Sequence, residues 1–310
     1  MQFRQLRYFV KIVDAGSFSR ASATIHVAQP ALSQQIAELE DRLGMKLLSR
    51  SARGVSPTAA GEVLYREASS ILHQLDLLPT VALSQSGEPE GIVSVGIASS
   101  LAPVLIGSLI AYVKIALPKV KLRVSDGDSG SLQAKVDTSG LDLAVIYEDE
   151  LGSKFTREPL FRQRLCLIGG QPFAVTGKSV SLDEIAKLPL ALPSLPNARR
   201  VLIDRIFAER KLVPNVVAEV ESLPSELLTV KTGIAHTLLP VGNRKNFLDQ
   251  GFVEPLLIDA DLYLTCSIIS SSDFPLSRAS EAVRILLVEF IKGELRDGNF
   301  VGLEWINSRS

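Results

Sequence analysis

The chain has 310 residues, of which 46% are hydrophobic and 22% charged, and its formal net charge is −1. This length predicts two or three domains, and the apolar content is too high for a disordered chain. No apolar run is long enough to span a membrane, and the first residues lack the apolar core of a signal peptide. We therefore expect a folded cytoplasmic protein without a membrane partner.

Cysteine and histidine usage predicts neither a disulfide framework nor a metal site. Cys166 and Cys266 lie inside apolar, strand-like runs, and their spacing fits no zinc motif. The histidines, His26, His73 and His236, form no HExxH pattern, and the chain has no P-loop, GxGxxG or GxSxG motif. We expect buried thiols, no cofactor, and neither a catalytic nor a metal site, so an enzyme is disfavoured.

The net charge hides a difference between the two ends of the chain. Residues 1–57 contain eight Lys and Arg against four Asp and Glu, a net charge of +4, whereas the remainder carries 25 against 30, a net charge of −5. A basic N-terminal segment followed by an acidic remainder is typical of a module that contacts phosphates, joined to a domain that does not contact them.

Two short helices are predicted at the start of the chain. The first ends at Gly16, and Ser17 is a natural N-cap for the second, SFSRASATIH, which leaves Arg20 on its outer side. The predicted apolar stripes comprise Phe3, Leu6, Phe9, Val10 and Val13, then Phe18, Ala21 and Ile25.

A third helix follows a tight turn at Val27 and Ala28, with Pro30 in its first turn. We predict a buried face of Ala31, Leu32, Ile36, Leu39 and Leu43, and an outward face of Gln29, Ser33, Gln34 and Gln35. Two short helices with a tight turn, the second presenting amides and hydroxyls, are what reading the DNA major groove requires. A solvated polar face is the alternative, and the neighbouring elements favour DNA reading.

The stretch MKLLSRSARGVSPT predicts a strand, a tight loop and a second strand, with Arg50 and Arg53 at the loop tip and Gly54 in the turn. Arginines on such a wing lie along phosphates or enter a narrow minor groove. A solvated hairpin is the alternative interpretation.

From Thr58, a predicted N-cap, a long helix carries a heptad seam. The seam comprises Leu64, Ala68, Ile71, Leu75, Leu78 and Ala82. Pairing with a second copy would bury the seam and bring two reading helices onto neighbouring half-sites. Packing on its own chain is the alternative, and Pro79 should kink or end the helix near Leu78.

Past the linker SQSGEPEG, strands alternate with helices. The first set comprises IVSVGIAS, a helix over 102–116, VKLRVSD, a helix from 131 and LDLAVIY, and the second comprises RLCLIGG, SLDEIAKL, LALPS, a helix over 198–210, VVAEVES, a helix over 224–232 and AHTLLPVG, before LYLTCSIIS and a closing helix. Continuous apolar strands separated by helices predict a parallel sheet covered on both faces. The fold class is therefore α/β overall, behind an all-α winged head and a long linker helix.

The head resembles that of LysR-type transcriptional regulators through LRYFVKIVDAGSFSRASATIHVAQPALSQQIAELEDRLGMKLLSR, RGVSPTAAG and the helix that follows. The order of elements resembles the family along the whole chain. The resemblance implies a winged helix-turn-helix over 1–58, a linker helix and hinge over 59–90, and a two-lobed, periplasmic-binding-protein-like effector domain over 91–310.

We expect lobe I to contain about 91–160 and 269–310, and lobe II about 161–268, with crossings near 158–164 and 267–273. The DNA contacts that we assign are Ser17, Arg20, Gln29, Pro30, Ser33, Gln34, Gln35, Arg50 and Arg53. Many family members carry Arg at the position of Gln34 and Ser at that of Ala28. The third helix here therefore loses a charge-assisted contact and an N-cap.

Polar side chains follow successive strands of the effector domain, where a small anion or metabolite would bind between the lobes. The candidates are Ser99, Ser100, Asp128, Ser129, Ser194, Asn197 and Ser222. For each of these residues, the alternative to effector binding is a role as an N-cap or turn residue. Acidic neighbours such as Asp126 and Glu221 disfavour a strongly anionic effector, and a cleft that binds no effector stays open.

We therefore expect a DNA-binding transcriptional regulator that binds double-stranded promoter DNA as a homodimer or homotetramer, under the control of a small-molecule effector. RNA polymerase is a further candidate partner. A cytoplasmic solute-binding protein is the alternative, because its fold would resemble the C-terminal two-thirds. The basic head and the missing signal peptide weigh against it.

Overall fold

A computed structural model describes residues 1–51, 54–83, 87–149, 153, 155–170, 177, 179–241, 244–295 and 300–306, without the side chains of 73, 74, 76–83 and 246. The chain divides into two compact units, residues 1–86 with 137–140, and residues 87–136 with 141–310. No helix in the described part is long and apolar enough to cross a membrane.

The first unit is helical, with a small two-stranded wing. Its elements are α1 (Phe3–Ala15), α2 (Phe18–Ile25), α3 (Gln29–Leu43), β1 (Leu48–Ser51), β2 (Gly54–Pro57) and α4 (Ala59–Leu83). The predicted helix boundaries follow from local chemistry. The backbone turns left-handed at Gly16, the Ser17 hydroxyl accepts from the Arg20 amide at 3.5 Å, and the Thr58 hydroxyl accepts from the Gly61 amide at 3.0 Å.

Two predicted core positions of this unit are wrong. Phe3, at the start of α1, is 60% exposed. Ile12, which was not predicted, is completely buried, because α1 packs against α2, α3 and α4 and so buries a broader face than one stripe. Ala31 is exposed because the first turn of α3 projects into solvent together with Gln29 and Pro30.

The long helix α4 corrects two expectations about the seam. Ala68 and Leu72 are buried in the core of the first unit, whereas Ile71 is 39% exposed. The first half of α4 therefore packs on its own chain, which was the alternative for the seam. The predicted positions Leu64, Ala68 and Leu75 take part, and Leu72 replaces Ile71. Of the two effects expected of Pro79, a kink or an end near Leu78, the end is wrong, because the helix continues to Leu83. The side chains of the predicted seam positions 78 and 82 lie outside the described residues.

The second unit is α/β. Its strands are β3 (Gly91–Ala98), β4 (Val120–Gly127), β5 (Leu143–Glu148), β6 (Phe155–Ile168), β7 (Ser179–Val180), β8 (Leu190–Leu192), β9 (Val216–Glu219), β10 (Thr237–Pro240), β11 (Leu256–Ile258), β12 (Tyr263–Ser271) and β13 (Leu303–Trp305). Its helices are α5 (Ala102–Ala116), α6 (Ser129–Asp137), α7 (Leu182–Ile185), α8 (Ala198–Glu209), α9 (Leu223–Lys231), α10 (Arg244–Asp249) and α11 (Arg278–Glu294).

The sheet of this unit is mixed, which corrects the expectation of a parallel one. Strands β3, β4 and β5 run parallel to one another, but β12 pairs antiparallel with both β5 and β6. The 14-residue strand β6 pairs with β12 through residues 155–164 and with β10 and β11 through residues 165–168. The antiparallel pairs arise because β6 and β12 both run between two groups of strands, one in each direction.

Candidate functional sites

Helix α3 is anchored in the core of the first unit by its apolar face. Leu32 and Leu39 are completely buried and Ile36 is 2% exposed, all within the core that also contains Phe9. A helix fixed in this way holds its outer side chains in defined positions, because close-packed cores permit little movement.

The outer face of α3 is polar, and its amides are oriented by neighbours. The Ser19 hydroxyl donates to Gln29 Oε1 at 2.9 Å, while Gln34 and Gln35 donate through Nε2 to the two oxygens of Glu38, at 3.0 and 2.9 Å. Gln29, Pro30 and Gln34 are exposed, whereas Ser33 and Gln35 are half-buried. Glu38 was not predicted, although its spacing of four residues from Gln34 was a readable signal.

The remaining predicted DNA contacts fall on α2 and the wing. Ser17 is half-buried and caps α2, and Arg20 is exposed. Arg50 lies in β1, beside the turn of the wing and not in the loop itself. Its guanidinium carbon lies 4.3 Å from the centre of the Phe18 ring, a cation–π contact that holds the wing against α2. Arg53 lies outside the described residues.

The wing is tied to the helices by two contacts that the sequence did not suggest. The Val55 amide donates to Gly16 O at 2.9 Å, and a Cβ on Gly54, whose φ is +125°, would lie 2.7 Å from that same oxygen. The Glu40 carboxylate accepts from the Leu47 and Leu48 amides at 2.9 and 3.2 Å. The wing therefore has a fixed position relative to α3.

In the second unit, a cleft of about 400 Å³ opens where several strands end. Six of the predicted effector residues line it, namely Ser99, Ser100, Asp128, Ser129, Asn197 and Ser222. Ser194 does not line the cleft, and its hydroxyl donates to Glu221, which does. These residues lie together because each of them follows a strand or begins a helix.

Several of these side chains also serve the local backbone. Asp128 Oδ1 accepts from the Ser131 amide at 2.9 Å, Asn197 Oδ1 accepts from the Arg199 amide at 3.0 Å, and Ser129 Oγ accepts from the Tyr147 amide at 3.1 Å. The capping role and the cleft-lining role therefore coincide in Asp128 and Asn197, whereas Ser129 binds the backbone of β5.

Two cleft residues were missed by sequence reasoning. Arg199 contacts the carboxylate of Glu226 through both terminal nitrogens, at 2.8 and 2.6 Å, and donates to Leu238 O at 2.9 Å. Tyr147 donates its hydroxyl to Gln163 at 2.5 Å, and burial raises the pKa of this phenol well above its usual value, so that it stays neutral. Neither pairing is readable from spacing, since the partners lie in different elements.

Comparison with known proteins assigns both units. A model of the LysR substrate binding domain matches residues 86–292, and a model of bacterial regulatory helix-turn-helix proteins of the lysR family matches residues 3–62. The chain therefore belongs to the LysR family of transcriptional regulators, whose members bind DNA through the helix-turn-helix.

Individual relatives agree with this assignment. The chain is 33% identical over 300 residues to the nitrogen assimilation regulatory protein nac of Escherichia coli (strain K12), covering 96% of this chain and 97% of that one. A full-length OxyR from Pseudomonas aeruginosa shares the fold, with a TM-score of 0.67 and 21% identity, covering 100% and 99%. Full-length CbnR in complex with its target DNA also shares the fold, with a TM-score of 0.63 and 18% identity, covering 95% of this chain and 100% of that one.

Proposed function

We propose that α3 reads bases in the major groove of promoter DNA through Gln29, Ser33 and Gln34, while Arg50 and Arg53 of the wing contact phosphates. The observation that carries this proposal is the exposed polar face on a helix whose opposite face is locked in the core. Ser17, Arg20, Pro30 and Gln35 flank that face and complete the proposed surface.

A gel-shift titration against promoter fragments tests this surface. Because each phosphate contact releases counterions, the Arg50→Ala variant should weaken binding to all sequences and flatten the salt dependence by about one unit of slope. Lys121→Ala, an exposed substitution in the second unit with the same loss of charge, serves as the control. An Arg50→Ala slope equal to that of Lys121→Ala would remove the wing from the DNA interface.

We infer further that α4 pairs two copies of the chain. After Ala68 and Leu72 have packed inward, α4 still exposes Val63, at 53%, and Ile71. Ile71→Glu should therefore lower the molar mass measured by light scattering, whereas Val213→Glu, at an exposed position of the second unit, should not. An unchanged mass for Ile71→Glu would place the interface elsewhere. The full assembly is a dimer or a tetramer.

The cleft of the second unit is the proposed effector site. Its volume falls in the range of small-molecule pockets, and it gathers hydroxyl, amide and carboxylate groups in one concavity. A ligand that binds only the folded protein raises its melting temperature, so a thermal-shift screen against metabolites tests this proposal. Gel shifts with and without each hit then show whether binding changes DNA affinity.

A regulator that needs no effector is the alternative. If no metabolite stabilises the chain while DNA binding is intact, this alternative replaces ligand control. A cytoplasmic solute-binding protein would bind ligands without binding DNA.

The proposed domain plan retains a DNA-binding head at 1–58, a linker helix and hinge at 59–90, and the two lobes within 91–310. We propose cytoplasmic action at promoters, with RNA polymerase as the partner through which transcription changes. Cross-linking of polymerase subunits to the promoter-bound protein is the measurement that checks this partner.

A further inference from the structure

An apolar cavity of about 410 Å³ adjoins the polar cleft of the second unit. Its walls come from the first turn of α5, from α9, and from residues around α10, and they include Val104, Leu227, Leu228, Phe247 and Phe252. The cavity and the cleft share the lining residues Ser99, Ser100, Asp126, Leu223, Pro224 and Leu239. One small molecule can therefore occupy both, with its polar end in the cleft and its apolar end in the cavity.

The charge of the polar cleft is dominated by carboxylates. Asp126, Asp128 and Glu221 line it and are exposed to solvent. The only cationic side chain among the described residues that line the cleft is Arg199, and the completely buried Glu226 already neutralises it through a two-point contact. A cation in the cleft would gain attraction from all three acids.

At the same walls, one first-turn backbone N–H of each helix that could hold an anion is absent or already used. The first turns of α5 and α9 contain Pro103 and Pro224, which have no N–H to donate. In α6 the Ser131 amide already donates to Asp128, and in α8 the Arg199 amide donates to Asn197. The usual attraction of helix N-termini for anions is therefore weakened at each of these four helices.

We propose that the cleft and the apolar cavity together bind one cationic amphiphile, a primary or secondary amine with a short alkyl or aromatic tail. The ammonium group lies in the cleft near Asp126, Asp128 and Glu221, and the tail lies against Leu227 and its apolar neighbours. The one cation at the apolar cavity among its described residues, Lys231, lies with its amine 5.0 Å from the centre of the Phe252 ring. This inference rests on the proposed effector function of the cleft.

The test uses the full chain and calorimetric titration with probes that separate the head from the tail. n-Hexylammonium should bind, and affinity should rise by about fourfold per methylene from propyl- to hexylammonium as the tail enters the apolar cavity. n-Heptanoate, which has the same hexyl tail and the opposite charge, should bind on the order of tenfold more weakly or worse. Methylammonium should bind weakly because it lacks a tail.

Two conservative variants check the two ends of the ligand. Glu221→Gln keeps the acceptor for Ser194 but removes a charge, and it should weaken hexylammonium about two- to fivefold. The matched control, Glu209→Gln, changes an exposed acid outside both cavities. Leu228→Ser should reduce the gain in affinity with chain length, whereas Ile234→Ser, equally exposed but outside both cavities, should leave it intact.

Three results would overturn the proposal: no binding of hexylammonium, heptanoate binding as tightly as hexylammonium, or an affinity that does not depend on chain length. The regulatory function of the cleft fails separately. If hexylammonium binds as expected but gel shifts show the same DNA affinity with and without it, the ligand class stands and effector control of DNA binding is lost.

Discussion

Removing the carboxylate of Glu40, which is 8% exposed, should destabilise the DNA-binding unit more than removing that of Glu38 or Asp41, the two exposed acids of α3. Glu40 Oε1 accepts from the amides of Leu47 and Leu48, whose residues are 1% and 8% exposed, while Oε2 accepts from Lys46 Nζ at 2.7 Å. In Glu40→Ala both buried amides lose their acceptor. At about 1–3 kcal/mol for each, the loss is about 2–6 kcal/mol of unfolding free energy.

That loss is large against a total stability of about 5–15 kcal/mol for a typical domain. Urea unfolding followed by circular dichroism measures it, and hydrogen exchange of the wing amides localises it to the DNA-binding unit. DNA affinity should fall as well, because the wing loses its fixed position beside α3. The ion pair with Lys46 contributes little, since the Lys46 side chain is 78% exposed.

Two matched variants serve as controls for this prediction. Glu40→Gln keeps Oε1 as an acceptor for both amides and should cost only about 1 kcal/mol. Glu38→Ala removes the same atoms from an exposed position of the same helix and should change stability by less than about 0.5 kcal/mol. If Glu40→Ala unfolds no more easily than Glu38→Ala, the carboxylate does not hold the wing.

The same site gives a pH dependence. Burial acts to raise the pKa of Glu40, but hydrogen bonds from Lys46 and from the Leu47 and Leu48 amides outweigh it and hold the pKa below its ordinary value. Because the folded pKa is the lower one, the stabilisation is complete above the unfolded pKa and is lost as pH falls through the folded pKa. Glu40→Gln should lack this acid-sensitive part of the unfolding curve.

Three further predictions concern other parts of the chain. Gly61→Ala would place a Cβ 2.0 Å from Leu47 O, so the melting temperature of the DNA-binding unit should drop, with a cost of about 1–3 kcal/mol; an unchanged transition would contradict the close approach. Gln34→Arg should change which operator sequences are preferred in a binding-site selection, whereas an equal gain for every sequence would mean that this position meets only phosphate. Burial raises the pKa of Cys166 to about 12, and Cys266 is completely buried, so a thiol reagent should label neither until the chain is unfolded.

Much of the DNA-binding surface follows from local chemistry in the sequence. Gly16, Ser17 and Pro30 mark helix ends that the structure reproduces, and the spacing of Leu32, Ile36 and Leu39 fixed which side of α3 is buried. These features depend on neighbours within a few residues along the chain, and such interactions are the same before and after the chain packs.

Contacts between distant residues were decided only by the tertiary structure. In the sequence, Glu40 is one more acid on a polar helix, and only the folded wing places two amides beside it. Arg199 likewise looks like an unpaired cation in the sequence, and only the fold places Glu226, from another helix, against it. The stripe of α4 shifted from Ile71 to Leu72 for the same kind of reason, because the heptad describes the helix alone and not the surface against which it packs.

The sequence by itself therefore determined the class of most elements, the ends of α1, α2 and α3, and the side of α3 that faces outward, but it did not predict α10, β11 or β13. Tertiary structure decided the mixed direction of the sheet, the neutralisation of Arg199 and the pairing of the cleft with an apolar cavity. The physical reason is that propensity, capping and amphipathic period act over one or two helical turns, whereas burial and charge compensation depend on which distant segments meet.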